Sequence, residues 1–467
     1  MQKITASYTD FYQLTMAQVY FLNQNHEDQS VFDYFFRKLP FHSGYAIFSG
    51  LEVLIDILED FKFTSEELQF LEKQGFHKDF INYLSDFQFN GEIKSVQEGD
   101  LIFPTRPVLQ VKATIIEAQI IETVVLNILN FQTLIATKAS RIRLAAPHDT
   151  LIDFGMRRAQ ATGAYYASRA AYIGGFDATS NVKAATDFDI PVSGTMAHAF
   201  IQSYENELDA FRDFAEVHPD NCVLLIDTYD TLRSGLPNAI KVAKELKAKG
   251  HQLKAIRLDS GDLAYLSKKC RETLDKEGFE NVKIAASNQL DEHVIKSLKD
   301  QNASIDVYGV GTNLVIGNPD AALDGVYKLA FADGKPRIKL SENVAKSTLP
   351  SEKQVYRIRN QENEMLGADI ITKTDETHVE KMHHPFDLTK STTYHSHILE
   401  PLLKTVMKDG KRYEKKKSLS KIKAYAAKRL NELPEEYKRF ANPHIYKVGV
   451  STQLLNTREK LRETLKK

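Results

Sequence analysis

The stretch Pro191-Val-Ser-Gly-Thr-Met-Ala-His198 sets one imidazole three residues after a Gly-Thr pair, at the polar end of what reads as a buried strand. An imidazole so placed can act as a nucleophile or proton carrier near neutral pH. Four apolar runs further on also stop on polar residues or glycine: Leu224-Leu-Ile-Asp227, Ile256-Arg257-Leu-Asp259-Ser-Gly, Ala285-Ala-Ser287-Asn288 and Tyr308-Gly309-Val-Gly311-Thr312. Arg257 and Asp259 stand two apart, so on a strand they face the same side. A cation beside a carboxylate suits a ligand that carries both an anionic group and hydroxyls, or else forms a structural ion pair at a sheet rim. Gly309 and Gly311 let backbone N–H groups approach a phosphate, with Thr312 beside them. The third glycine of a dinucleotide fingerprint is absent, since Leu314 stands there, and a plain tight turn gives the same pattern. Asp153-Phe154-Gly-Met-Arg157-Arg158 puts an aromatic platform ahead of two guanidinium groups, so a flat ring can stack on Phe154 while Arg157 holds a phosphate.

Such residues need elements to hold them. Between about 150 and 330 strand and helix patterns alternate, with strands read at Leu151–Phe154, Ile190–Ser193, Val223–Ile226, Lys254–Leu258, Val282–Ala285 and Ile305–Tyr308. The clearest helix between them runs from Ser234 as N-cap, with Pro237 in its first turn, to a stop at Gly250. Alternation of this kind favours a parallel sheet, and polar strand ends at one side favour an α/β barrel, complete or incomplete. Before it, Ala46–Phe61 reads as helix, Val108–Ala113 as strand and Ile115–Ala139 as a long helix. After about 335 come a strand at Lys353–Ile358, a His383-His384-Pro-Phe-Asp loop, a basic surface turn at Lys408–Lys417 and a helix carrying Ile422, Tyr425, Ala426 and Arg429.

Bulk properties exclude several classes. The 467 residues suffice for two or three domains, and 42% hydrophobic with 26% charged is ordinary for a soluble globular protein. Sixty-one basic against 62 acidic residues leave a net charge of -1, which gives no electrostatic case for nucleic acid or an anionic membrane. No apolar run is long enough to span a bilayer, and the first residues lack a signal-peptide core, so a cytoplasmic location is expected. Cys222 and Cys270 have no zinc spacing and fit a reducing compartment. His42, His148, His383 and His384 show no metal-ligand spacing, and neither a Walker A sequence nor HExxH occurs. No metal ligand is assigned.

Taken together, Thr9-Asp-Phe-Tyr12-Gln-Leu-Thr-Met, Asp153-Phe-Gly-Met-Arg-Arg, Gly174-Gly-Phe-Asp177-Ala-Thr-Ser-Asn, Gly194-Thr-Met-Ala-His198, Ile256-Arg-Leu-Asp-Ser-Gly-Asp and Gly309-Val-Gly-Thr with Gly325-Val-Tyr-Lys-Leu resemble the nicotinate phosphoribosyltransferase family over essentially the whole chain. The resemblance implies a type II phosphoribosyltransferase fold: an irregular α/β barrel at 146–335, and a smaller α/β domain formed from the N-terminal segment 1–145 and the C-terminal segment 336–467. It implies a homodimer with a shared active site. The implied reaction is nicotinate, phosphoribosyl pyrophosphate, ATP and water giving nicotinate mononucleotide, pyrophosphate, ADP and phosphate, with Mg²⁺ as cofactor, in NAD salvage.

By the same resemblance His198 is the histidine phosphorylated from ATP, and Asp259 a catalytic residue on the ribose hydroxyls. Phe154 and, from the partner subunit, Tyr12 stack the ring. Thr195 and Arg257 sit at the nicotinate site, Asp177 lines the pyridine site, and Arg157 holds phosphate. Gly309, Gly311 and Thr312 cradle the 5′-phosphate, and Ser287 joins the substrate-binding set. Nicotinamide phosphoribosyltransferase, which shares the barrel and the histidine, is the alternative; quinolinate phosphoribosyltransferase is shorter and has no ATP step. A sugar-phosphate barrel lyase or isomerase would need a Schiff-base lysine or a Glu/His pair at strand ends, where this chain carries Asp, Arg, Ser and Gly. A non-catalytic binding protein would not need its nucleophilic and charged positions filled.

Overall fold

Six parallel strands in the middle of the chain turn the alternating sequence into a site. The computed structural model describes residues 3–341 and 347–465. The chain divides into two compact units, Lys138–Ala321 and the terminal segments Met1–Thr137 with Ala322–Lys467.

In the central unit the strands are Thr150–Asp153, Ala178–Thr179, Val223–Leu225, Ala255–Leu258, Lys283–Ser287 and Val307–Val310. The third to sixth pair in chain order, and the sixth then pairs with the first, Val307 opposite Thr150 and Val310 opposite Asp153. First and last strands are therefore neighbours, as in a barrel, and the C-terminal strand ends gather at one end. The second strand adds to the first, and a single parallel bridge from Thr179 to Val192 follows it. No ladder joins that edge to the third strand among the described residues, so the α/β barrel is irregular and open at this seam.

Two local readings need correction. Ile190–Ser193 contributes only that bridge: Pro191 has no N–H to donate, and the chain runs on as a loop until a short helix, His198–Gln202. His198 thus opens a helix instead of ending a strand. The helix read from Ser234 spans Leu236–Ala248, and the turn before it is capped by Asp230, which accepts from the Leu232 and Arg233 N–H groups at 3.1 and 2.9 Å. The Ser234 hydroxyl donates to Glu207 instead, at 2.7 Å. The strands are apolar because helices cover them: Leu224, Ile226, Ile256 and Ile284 pack with Phe211, Ala239, Ala243 and Leu274 in one buried cluster.

The terminal unit is also α/β but holds the larger part of the chain, against the expectation of a smaller domain. Its seven-stranded sheet joins both chain ends, because Gln29–Phe36 pairs antiparallel with Gly325–Ala332 on one side and Leu109–Thr114 on the other. A six-stranded sheet contains Lys353–Arg359 and Met365–Lys373. The segment read as a helix over Ala46–Phe61 is a strand, Ala46–Ile47, then Gly50 at φ 104°, then helix Leu51–Leu58. The left-handed backbone at Gly50 is what separates the two. The long helix read from Ile115 is likewise two, Ile115–Ile120 and Glu122–Ala145. Helix Leu419–Glu432 forms as read. Among the described residues no helix is long and apolar enough to cross a membrane.

Candidate active site

At the C-terminal ends of the barrel strands one guanidinium gathers four segments. Arg257, on the fourth strand, donates from Nε to Ser287 Oγ at 2.9 Å and from Nη1 to Thr195 Oγ1 and the Met196 carbonyl, each at 3.2 Å. Its Nη2 donates to Asp259 Oδ1 at 3.0 Å. Ser287 hydrogen-bonds the same carboxylate oxygen of Asp259. Arg257 also lies over the Phe154 ring, 5.4 Å from its centre. A guanidinium has five N–H groups, and four are committed. Arg257 therefore has one N–H left for a ligand unless Thr195 or Ser287 yields theirs.

Burial alone would raise the Asp259 carboxyl, but the Ser287 hydroxyl and the Arg257 guanidinium outweigh it and hold it below the usual carboxylate range. It stays an anion in the site. Its backbone N–H donates to Asp227 Oδ2 at 2.8 Å, and so does the Ser260 hydroxyl at 2.6 Å. Asp227 Oδ1 is buried with no hydrogen-bond partner.

His198 meets this group from the loop side. Its Nδ1 shares a hydrogen bond with Thr228 Oγ1 at 3.1 Å, and its Nε2 stands 3.8 Å from Asp259 Oδ2. The ring is 39% exposed, so Nε2 can be reached by a substrate. Thr228 was not a candidate from sequence, and Asp227 was read only as the polar end of a strand.

The remaining candidates divide. Gly309 is next to Phe154, and a Cβ there would sit 2.4 Å from the ring, so glycine is what lets the ring lie across the strand end. Gly311 and Thr312 follow at the sixth strand's end, where Thr312 opens the short helix Thr312–Val315. Arg157 lies exposed in the turn Met156–Arg158, with no ion pair among the described residues. Asp153 is structural: its buried carboxylate accepts from the Ser168 and Thr179 hydroxyls and the Gly155 N–H, and burial raises its pKa. Asp177 is not brought into the cluster. Its carboxylate takes the Arg143 guanidinium at 2.6 Å and the Leu151 N–H at 2.9 Å, two residues short of the first strand's end. Tyr12 belongs to the other unit, on helix Phe11–Leu22, where it is 51% exposed.

Three family models cover the chain. The nicotinate phosphoribosyltransferase family matches residues 150–390, its N-terminal domain residues 8–130 and its C-terminal domain residues 352–458. A nicotinate phosphoribosyltransferase of Bacillus subtilis is 47% identical over 95% of this chain and 92% of its own length. The chain belongs to the nicotinate phosphoribosyltransferase family. A relative of that name from Dictyostelium discoideum is 36% identical over 97% of this chain and 87% of its own. The crystal structure of human nicotinic acid phosphoribosyltransferase superposes with a TM-score of 0.87 at 29% identity, covering 97% of this chain and 99% of that one. As a nicotinate phosphoribosyltransferase the chain is an enzyme of NAD biosynthesis, and the barrel with its appended α/β unit is the family's fold.

Proposed function

We propose that His198 couples ATP to phosphoribosyl transfer from phosphoribosyl pyrophosphate to nicotinate. The observation that carries this is the setting of the ring, with Nδ1 tied to Thr228 and Nε2 open beside Asp259. If Nδ1–H donates to the threonine hydroxyl, Nε2 keeps its lone pair and is the nucleophile. Nε2 attacks the γ-phosphorus of ATP and ADP leaves; water later cleaves the P–N bond and releases phosphate. Asp259, held ionised, favours the imidazolium that forms between those steps.

In the transfer itself the pyridine nitrogen attacks the anomeric carbon as pyrophosphate departs, and positive charge grows on the ribose ring. Phe154 fixes the ring plane, with Arg257 and Thr195 meeting the nicotinate carboxylate. Asp259 and Ser287 take ribose hydroxyls, Arg157 a phosphate, and Gly309, Gly311 and Thr312 the 5′-phosphate. The exposed face bearing Tyr8, Phe11 and Tyr12, each more than 40% exposed, supports a homodimer in which the partner subunit's Tyr12 covers the second face of the ring.

No three His, Cys, Asp or Glu side chains converge among the described residues, so an all-protein metal cage does not fit. An Mg²⁺ that keeps waters and phosphate oxygens does fit the unpartnered Asp227 Oδ1 with Asp259, and it would offset leaving-group charge there. The test is rapid-quench labelling with γ-³²P-ATP, alongside turnover of nicotinate and nicotinamide with and without ATP. Acid-labile label on the wild type and none on His198→Asn supports the reading; label persisting on His198→Asn sinks it.

A further inference from the structure

The terminal unit contains a cavity that none of the proposed site residues lines. It measures about 790 Å³, within the range of metabolite sites, and its lining is mostly apolar. His384, Pro385 and Phe386 of the histidine loop form one wall with residues 390–392, and Leu39, residues 42–44, 103–105 and 442–448 form the others. Three features mark it as built.

The first is a rigid, almost fully buried aromatic pair behind its wall. Phe103 and Tyr446 stack within 5° of parallel at 3.4 Å. Arg106 and Arg357 stand 5.9 and 5.7 Å from the centre of the Phe103 ring, and the Tyr446 hydroxyl donates to Asp369 at 2.7 Å. The rings are thus fixed from behind by fully buried ion pairs. The second is backbone strain. His42, Thr105 and Asn442, all on the wall, have φ of 49°, 69° and 47°, and Phe41 beside them has 59°. Bulky and β-branched residues occupy the left-handed region only where the surroundings force them, and such residues gather at ligand sites.

The third is charge. The lining has no Asp or Glu, although acids outnumber bases in the chain. Its basic groups are Lys390, Lys447, His42, His384 and His444, of which Lys390 pairs with Asp387, just outside the lining, at 3.0 Å. His384 accepts at Nδ1 from the Phe386 and Asp387 N–H groups at 3.2 and 3.0 Å, so its proton is on Nε2 and that atom is a donor. No arginine lines the cavity, which disfavours a phosphate held by a bidentate fork.

We propose that this cavity is a second small-molecule site that takes an aromatic carboxylic acid, with the flat body among the apolar walls of Leu39, Met382, Phe386 and Ile445 and the carboxylate toward Lys447 and the histidines, with Lys390 shared with Asp387. The pair of probes is 2-naphthoate and its neutral amide, 2-naphthamide, titrated calorimetrically against the intact protein. The expected result is at least tenfold tighter binding of the acid, a preference abolished in the double variant Lys390→Glu, Lys447→Glu. Filling the mouth by Ser391→Trp should remove both probes while circular dichroism stays native. Equal affinity for acid and amide overturns the proposal. So does a preference that survives the double variant, because the acid then binds elsewhere, or binding undiminished in Ser391→Trp.

Discussion

Two arginine–carboxylate networks in this molecule use the same chemical parts to opposite ends. In the terminal unit Arg106, Arg357 and Arg429 surround Asp100 and Asp369, every side chain nearly inaccessible to water. Asp369 accepts from Arg357 and the Tyr446 hydroxyl and pairs with the Arg106 guanidinium at 2.8 Å, and the arginines hold the Asp100 carboxyl far below its usual range despite burial. At the barrel mouth Arg257 and Asp259 are paired just as closely, yet they are 13% and 26% exposed and sit beside an open imidazole. The first network is closed off from water, so no group in it can meet a ligand. The second keeps one guanidinium N–H, a carboxylate oxygen and an imidazole nitrogen in reserve. What separates structure from chemistry here is access, since charge and proximity are common to both.

That contrast breaks most sharply under substitution. Asp369→Ala leaves buried guanidinium groups uncompensated and should cost about 3–5 kcal/mol in urea unfolding, with activity lost only through unfolding. His198→Asn should do the reverse. Its unfolding midpoint stays within about 0.5 kcal/mol of the wild type, as for other accessible positions. Its ATP-stimulated turnover falls on the order of 100-fold, the lower end of what a positioned acid, base or nucleophile contributes. Unfolding and turnover that move together in either variant would erase the distinction.

How much of this was visible in the sequence follows the range of the interactions. The barrel strands at Thr150, Val223, Ala255, Lys283 and Val307 were legible because each is a short apolar run ending on polar residues or glycine, a purely local signature. Strand Gln29–Phe36 was not read. Most of its residues are buried, so the period-two alternation that would reveal it is missing, and its partners lie about 80 and 300 residues away. The site divides in the same way. Arg257 and Asp259 betray themselves by spacing on one strand. Thr228 acquires its role only from His198, thirty residues earlier, and Asp177 is drawn off by Arg143, which no spacing rule connects to it.

Two smaller effects sharpen the comparison inside the barrel network. Arg257→Lys keeps the charge but cannot bridge Ser287, Thr195 and Asp259 together, so kcat/KM for nicotinate should drop by about 2 kcal/mol, ~30-fold. Thr228→Val removes one hydroxyl at nearly constant shape. An ordinary hydrogen bond contributes about 1 kcal/mol, so phosphorylation of His198 should slow about fivefold, and Thr228→Ser should restore it. Equal rates in Thr228→Val and the wild type would mean that the imidazole is oriented by something else.

The smallest effect concerns pH. The folded Asp259 pKa lies below its unfolded value, so the ionised carboxylate stabilises the fold at pH above about 4, where the unfolded group is also charged. That contribution is lost as pH falls through the lower, folded value. Asp259→Asn lacks the titrating group, so the stability gap between it and the wild type should be widest near neutrality and close steadily below about pH 4. Urea midpoints at pH 7, 5, 4 and 3 measure the gap. A gap that widens on acidification would mean that burial outweighs Ser287 and Arg257 at this carboxylate, and Asp259 would then belong with Asp153, whose burial raises its pKa, instead of with the open imidazole beside it.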